Sequence, residues 1–72
     1  MTYDRIDVDP KIMFGKPVIA GTRITVELIL RKLAGGMTVS EIVADHPHLV
    51  ADDIHATLAF VVHYLGLEDT VH

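Results

Sequence analysis

Apolar residues fall into one alternating run followed by three runs at helical spacing. From Arg5 to Val8 polar and apolar positions alternate, with Ile6 and Val8 on one side, and Asp9-Pro10 then interrupts the pattern, which predicts a short strand. Lys11 to Lys16 reads as a loop closing in a glycine turn at Gly15. Pro17 heads Val18-Ile19, and because proline has no N–H to give a ladder, this pair can only begin a strand or lie on an edge. Together the two strands predict a small arm or hairpin. Such an element is marginal alone in water, so it must lie on the helices or pair with a second subunit's copy.

The first helix is predicted from Val26 to Ala34, capped by Thr25 and stopped by Gly35-Gly36. Val26, Ile29, Leu30, Leu33 and Ala34 share one face, Leu28 falls off it, and Glu27 and Arg31 stand four apart outside in the favourable order. Thr38-Val39-Ser40-Glu41 is a capping box that opens a brief second helix, whose buried side is Ile42 and Val43 and which Asp45-His46-Pro47 ends. A third helix runs from Ala51 to Leu65, with Asp52 and Asp53 at its positive end and Gly66 as its stop. At 100° per residue Ile54, Leu58, Val61, Val62 and Leu65 form the expected core stripe. Phe60 and Tyr64 lie nearly opposite, flanked by Asp53 and Thr57. These four residues form either a partner or dimer contact or a face that the arm folds back to cover.

Size and composition turn this pattern towards self-association. A single 72-residue domain hides only about 60% of the surface its unfolded chain exposes, yet half of the residues are hydrophobic and 22% charged. A mean hydropathy of +0.38 is more than one small core conceals, which implies burial against another chain, most simply in a homodimer. The absence of cysteine leaves no disulfide or thiolate zinc site to reinforce the core. A charged N-terminus and the lack of a long apolar run predict a cytoplasmic protein with no membrane span. The organisation expected is one domain, with residues 1–24 as the β arm, 25–66 as the helical bundle and 67–72 as a tail.

Charge is unevenly distributed. The first 32 residues carry six cations against four carboxylates, +2, and the remainder six carboxylates and no Lys or Arg, −6. This division fits two surfaces with different partners. The hydroxyls show no nucleophile context, and no enzyme, metal or cofactor is expected: Asp45, His46, His48, Asp52 and His55 offer metal-ligand types without the convergence a site needs. What remains is a cationic turn. In Gly21-Thr22-Arg23 the glycine frees the backbone, the threonine offers a hydroxyl, and Arg23 offers a planar fork for phosphate or carboxylate. Lys16, Thr22, Arg23, Arg31 and Lys32 are the candidates for contact with a nucleic-acid backbone. Alternatively, Arg23 pairs with Asp7 or Asp9 and clasps the arm. The second and third helices have helix-turn-helix proportions, but Asp52 and Asp53 stand where a recognition helix usually presents cations or amides.

Asp9-Pro10, Gly15-Lys16-Pro17-Val18-Ile19, Gly21-Thr22-Arg23, Gly35-Gly36 and Pro47-His48-Leu49 occur in an order and spacing that resemble the small prokaryotic family known as domain of unknown function 433. The likeness covers nearly the whole chain. It implies a mainly α fold, a three-helix helix-turn-helix or winged-helix-like bundle with a short N-terminal β arm. Members are often encoded beside a protein with a PIN-like nuclease fold, so the resemblance implies an antitoxin-like, non-enzymatic binding protein that neutralises such a toxin and contacts operator DNA. A stand-alone DNA-binding regulator and a structural dimer module are the alternatives. Val50 departs from the Thr or Ser that the family tends to place before the last helix, which removes a cap of about 1 kcal/mol.

Overall fold

The computed structural model describes residues 2–66; the expected tail, 67–72, lies outside them. The chain forms strands β1 (Thr2–Tyr3), β2 (Ile6–Asp7) and β3 (Val18–Ile19), then helices α1 (Val26–Ala34), α2 (Val39–Asp45) and α3 (Ala51–Leu65). It is mainly helical, as the apolar periodicity predicts, with the strands joined antiparallel in the order β1-β2-β3.

The arm has one more strand than alternation alone reveals. Tyr3 pairs with Ile6, leaving Asp4-Arg5 as a two-residue hairpin turn, in which Arg5, at the second position, adopts a positive φ (63°). β2 then pairs with β3, Ile6 opposite Ile19 and Asp7 opposite Val18. The Arg5 carbonyl accepts from the Ala20 N–H, which extends this ladder past its formal end.

Each helix stops and starts where its capping residues dictate. Thr25 accepts from the Leu28 N–H, and Thr38 and Glu41 satisfy each other's backbone donors in a complete capping box. Gly36, at φ 98°, lets the Met37 N–H turn back to the Lys32 carbonyl and close α1. The missing hydroxyl at Val50 is partly replaced: the Val50 N–H donates to the Asp53 carboxylate at 2.9 Å.

Ile6, Ile19, Val26, Ile29, Ile42, Leu49, Ile54 and Phe60 form the core. In α1 Val26 and Ile29 are buried and Leu30 and Leu33 half-buried, while Ala34, expected inside, is exposed.

The core stripe expected on α3 is corrected by the structure. Ile54 is buried and Val61 half-buried, but Leu58, Val62 and Leu65 are exposed, and the buried face is Asp53, Ile54, Thr57 and Phe60. The inward stripe is thus rotated round the helix by roughly 80°. The cause is the arm, which lies across α3 and covers what would otherwise be its second face. Tyr3 meets Phe60 edge-to-face at 4.8 Å between ring centroids, and Arg5 Nη1 donates to Asp53 Oδ1 at 3.1 Å. Thr57 tolerates complete burial because its hydroxyl donates to the Asp53 carbonyl one turn back.

Asp53 therefore serves two structural partners, Arg5 and the Val50 N–H, whereas its neighbour Asp52, in solvent, reaches only Arg5 among the described residues, at 3.6 Å. Asp53→Ala should lower unfolding free energy by about 1–3 kcal/mol, and Asp52→Ala by less than about 1 kcal/mol. Urea denaturation of the two variants measures the difference; equal losses would show that the clasp does not hold the arm.

Candidate functional site

The segment from Gly15 to Val26 is locked by its own backbone. Gly21, at φ 77°, forms the turn after β3, in which the Thr22 N–H donates to the Ile19 carbonyl. The Thr22 hydroxyl donates to that same carbonyl at 2.7 Å and accepts from the Ile24 N–H at 3.0 Å. The Val26 N–H donates to the Pro17 carbonyl, tying the entrance of α1 to the beginning of β3. Thr22 is thus committed to the turn.

Most of the candidate cations are also engaged within the chain. Lys16 and Arg31 both hold Glu27, at 3.2 Å and 2.8 Å, and Lys32 lies 3.7 Å from Asp45. Arg23 is exposed and makes no ion pair among the described residues, so the expected clasp to Asp7 or Asp9 is not formed; Arg5 performs that work instead, on α3. Of the five residues considered for nucleic acid, Arg23 alone keeps its charged group uncommitted among the described residues. It lines a shallow hollow with Ile12, Gly21 and Thr22.

Of the residues considered for a partner contact, Asp53, Thr57 and Phe60 are turned into the fold beneath the arm, and Tyr64 is 75% exposed. Tyr64 stacks on Phe60 at 6.0 Å and lies on the rim of an open groove of about 570 Å³ between the arm, α1 and α3. Tyr3, Pro17, Leu30, Phe60 and Val61 give the groove apolar walls, and Glu27 stands on its edge.

Beside this groove, inside the loop expected from Lys11 to Lys16, the chain forms an ordered turn. Met13, Phe14 and Gly15 form a tight turn with three successive positive φ angles, 48°, 59° and 82°. The turn is fixed by hydrogen bonds from the Gly15 N–H to the Ile12 carbonyl and from the Lys16 N–H to the Met13 carbonyl, and Asp9 Oδ1 accepts the Lys11 N–H at its approach. It holds Phe14 97% exposed, next to Gly15 in the groove wall. The available signal was an apolar pair, Met13-Phe14, between two lysines where a loop is ordinarily polar.

Among the described residues no three His, Asp or Glu side chains come together as a metal site. His46 Nε2 is buried without a hydrogen-bond partner among them, at the end of α2. No described helix is long and apolar enough to cross a membrane.

The family model described as protein of unknown function, DUF433, matches residues 6–61, a span from β2 to the middle of α3. A crystal structure of a DUF433 member from Anabaena variabilis superposes with a TM-score of 0.80 at 26% identity, over 92% of this chain and 65% of the other. The chain therefore spans just under two thirds of that protein's length. Comparison with curated proteins finds no match.

Arg31 first and Lys16 second hold the Glu27 carboxyl below the usual glutamate range, and the Thr38 cap does the same for Glu41. A depressed folded-state value means stabilisation that is present above the unfolded value, about 4.3, and lost as pH falls through the folded one. Denaturant midpoints should accordingly decline on acidification below about pH 4.3. Glu27→Gln and Glu41→Gln should each make the decline shallower, and unchanged slopes would show that these carboxylates do not contribute.

Proposed function

Because the chain belongs to the DUF433 family, a membership that by itself names no activity, we propose its role from its surfaces: a non-enzymatic, antitoxin-like binding protein that holds a PIN-like nuclease. Phe14 carries the reading. An aromatic ring kept in water forgoes about 1.5–3 kcal/mol that burial would return, and left-handed φ at a residue other than glycine adds strain. Both costs are offset when the ring enters a partner's pocket. The hydrogen-bonded turn keeps Phe14 in place before any encounter, so little ordering is left to be done on binding. Aromatic anchors of this kind dominate protein interfaces. The adjoining groove, walled by Tyr3, Pro17 and Leu30, accepts an apolar segment from the same partner. The resemblance of the sequence motifs suggests the class of partner, and the exposed ring beside the groove supports this place for it.

Coexpression with a PIN-like protein encoded beside the chain should yield a complex and relieve the nuclease's toxicity. Phe14→Ser should weaken capture by at least about tenfold, and Tyr64→Lys similarly, with the thermal midpoint of the free chain little changed. No complex and no relief would remove the antitoxin reading; capture indifferent to both substitutions would remove its placement at Phe14.

Arg23 favours a second reading, contact with operator DNA, because its guanidinium is exposed and has no carboxylate partner among the described residues. The outer side of α3 supports this less, since it bears no Lys or Arg. Backbone contact through Arg23 predicts salt-sensitive binding, with Arg23→Ala lowering the salt slope by about 1, as measured by fluorescence anisotropy. Equal slopes would exclude Arg23 from the contact.

A further inference from the structure

We infer that the outward face of α3 is a self-association surface that pairs with α3 of a second copy about a two-fold axis. Ala51, His55, Leu58, Val62 and Leu65 are spaced four, three, four and three residues apart, and all five are exposed. This is the 3.5-residue seam by which helices interdigitate in a coiled coil. A lone amphipathic helix needs one such stripe. Here the inward stripe, Ile54, Thr57, Phe60 and Val61, already packs on the body, so the outer seam is additional to what folding requires.

Charge selects the occupant. From Ile54 to Gly66 there is no Asp, Glu, Lys or Arg, and among the described residues the exposed carboxylate at the start of the helix, Asp52, has Arg5 at 3.6 Å. A basic or an acidic protein finds no counter-charge on this face. A second copy meets an identical uncharged seam with no like-charge repulsion, over a helix roughly 22 Å long. With the two-fold axis perpendicular to the helices, their dipoles run antiparallel, which favours the pair. Ala51 on the seam and Ala59 beside it, both small and exposed, let the backbones approach closely. Leu65 also borders the groove described above, but Leu58 and Val62 do not, so this surface is separable from the Phe14 site.

The test is sedimentation equilibrium of the full chain over a dilution series. The wild-type chain should be dimeric, and Leu58→Glu/Val62→Glu should raise the dissociation constant by at least about a hundredfold. Leu58→Lys/Val62→Lys should be monomeric likewise, and an equimolar mixture of the two double variants should recover dimers, which also shows that both remain folded. A wild-type chain that stays monomeric at every concentration would overturn the proposal. So would double variants that stay dimeric, a mixture that fails to associate, or a dimer abolished by Phe14→Ser. Capture of a nuclease is a separate readout, so this outcome and that of the binding role are distinguishable.

Discussion

The placement of the arm on α3 is the constraint on which the other features depend. Strands of two residues each cannot persist alone in water. They last because Ile6 is buried in the core, Tyr3 rests edge-to-face on Phe60, and Arg5 grips Asp53. The same contacts decide which side of α3 faces inward. Without the arm, Phe60 would lie uncovered and Asp53 would be an ordinary first-turn carboxylate. With it, the helix turns Thr57 and Phe60 towards the body and is left with Leu58 and Val62 in solvent.

A second constraint is the small number of cations. Six Lys and Arg residues serve a chain with ten carboxylates, and among the described residues four of the six are drawn into intramolecular pairs with Asp45, Asp52, Asp53 or Glu27. Surface pairs of this kind contribute little to stability, but they lower the density of uncompensated positive charge that a phosphate backbone would meet. A charge excess counted along the sequence, +2 in the first 32 residues, therefore overstates what the folded surface offers. Apolar contact is left as the stronger resource of the molecule.

The helices were legible in the sequence because their boundaries are set by local chemistry. Thr25, Thr38 with Glu41, Gly36 and Gly66 each satisfy or release backbone groups within a few residues, and those rules act without knowledge of the rest of the fold. The side of α3 that turns inward was not legible. Periodicity counts Thr57 and Asp53 as polar and so pushes the computed stripe towards Leu58 and Val62. In the fold, Thr57 donates to a carbonyl in its own helix, and Asp53 is satisfied by an arginine 48 residues away. Likewise β1 is invisible to alternation, since two residues cannot display a period, and Phe14 could not be recognised as exposed until the turn around it was known.

The motifs that identify the family are largely occupied with making the fold. Pro17 supplies the carbonyl that receives the α1 entrance, Gly21 the positive φ of the turn, and Thr22 three hydrogen bonds that close it, two of them through its hydroxyl. Lys16 is held against Glu27. Of the Gly-Lys-Pro and Gly-Thr-Arg elements only Arg23 keeps a charged side chain uncommitted among the described residues. A signature built from such positions marks the scaffold, and it would persist across proteins that bind different things. A binding role of the kind proposed would draw its specificity from between the motifs, from side chains that folding leaves in water at a cost. Phe14 on its strained turn and Leu58 with Val62 on the back of α3 are residues of that kind. Their exposure destabilises the isolated chain slightly, a cost that burial against another molecule would reverse.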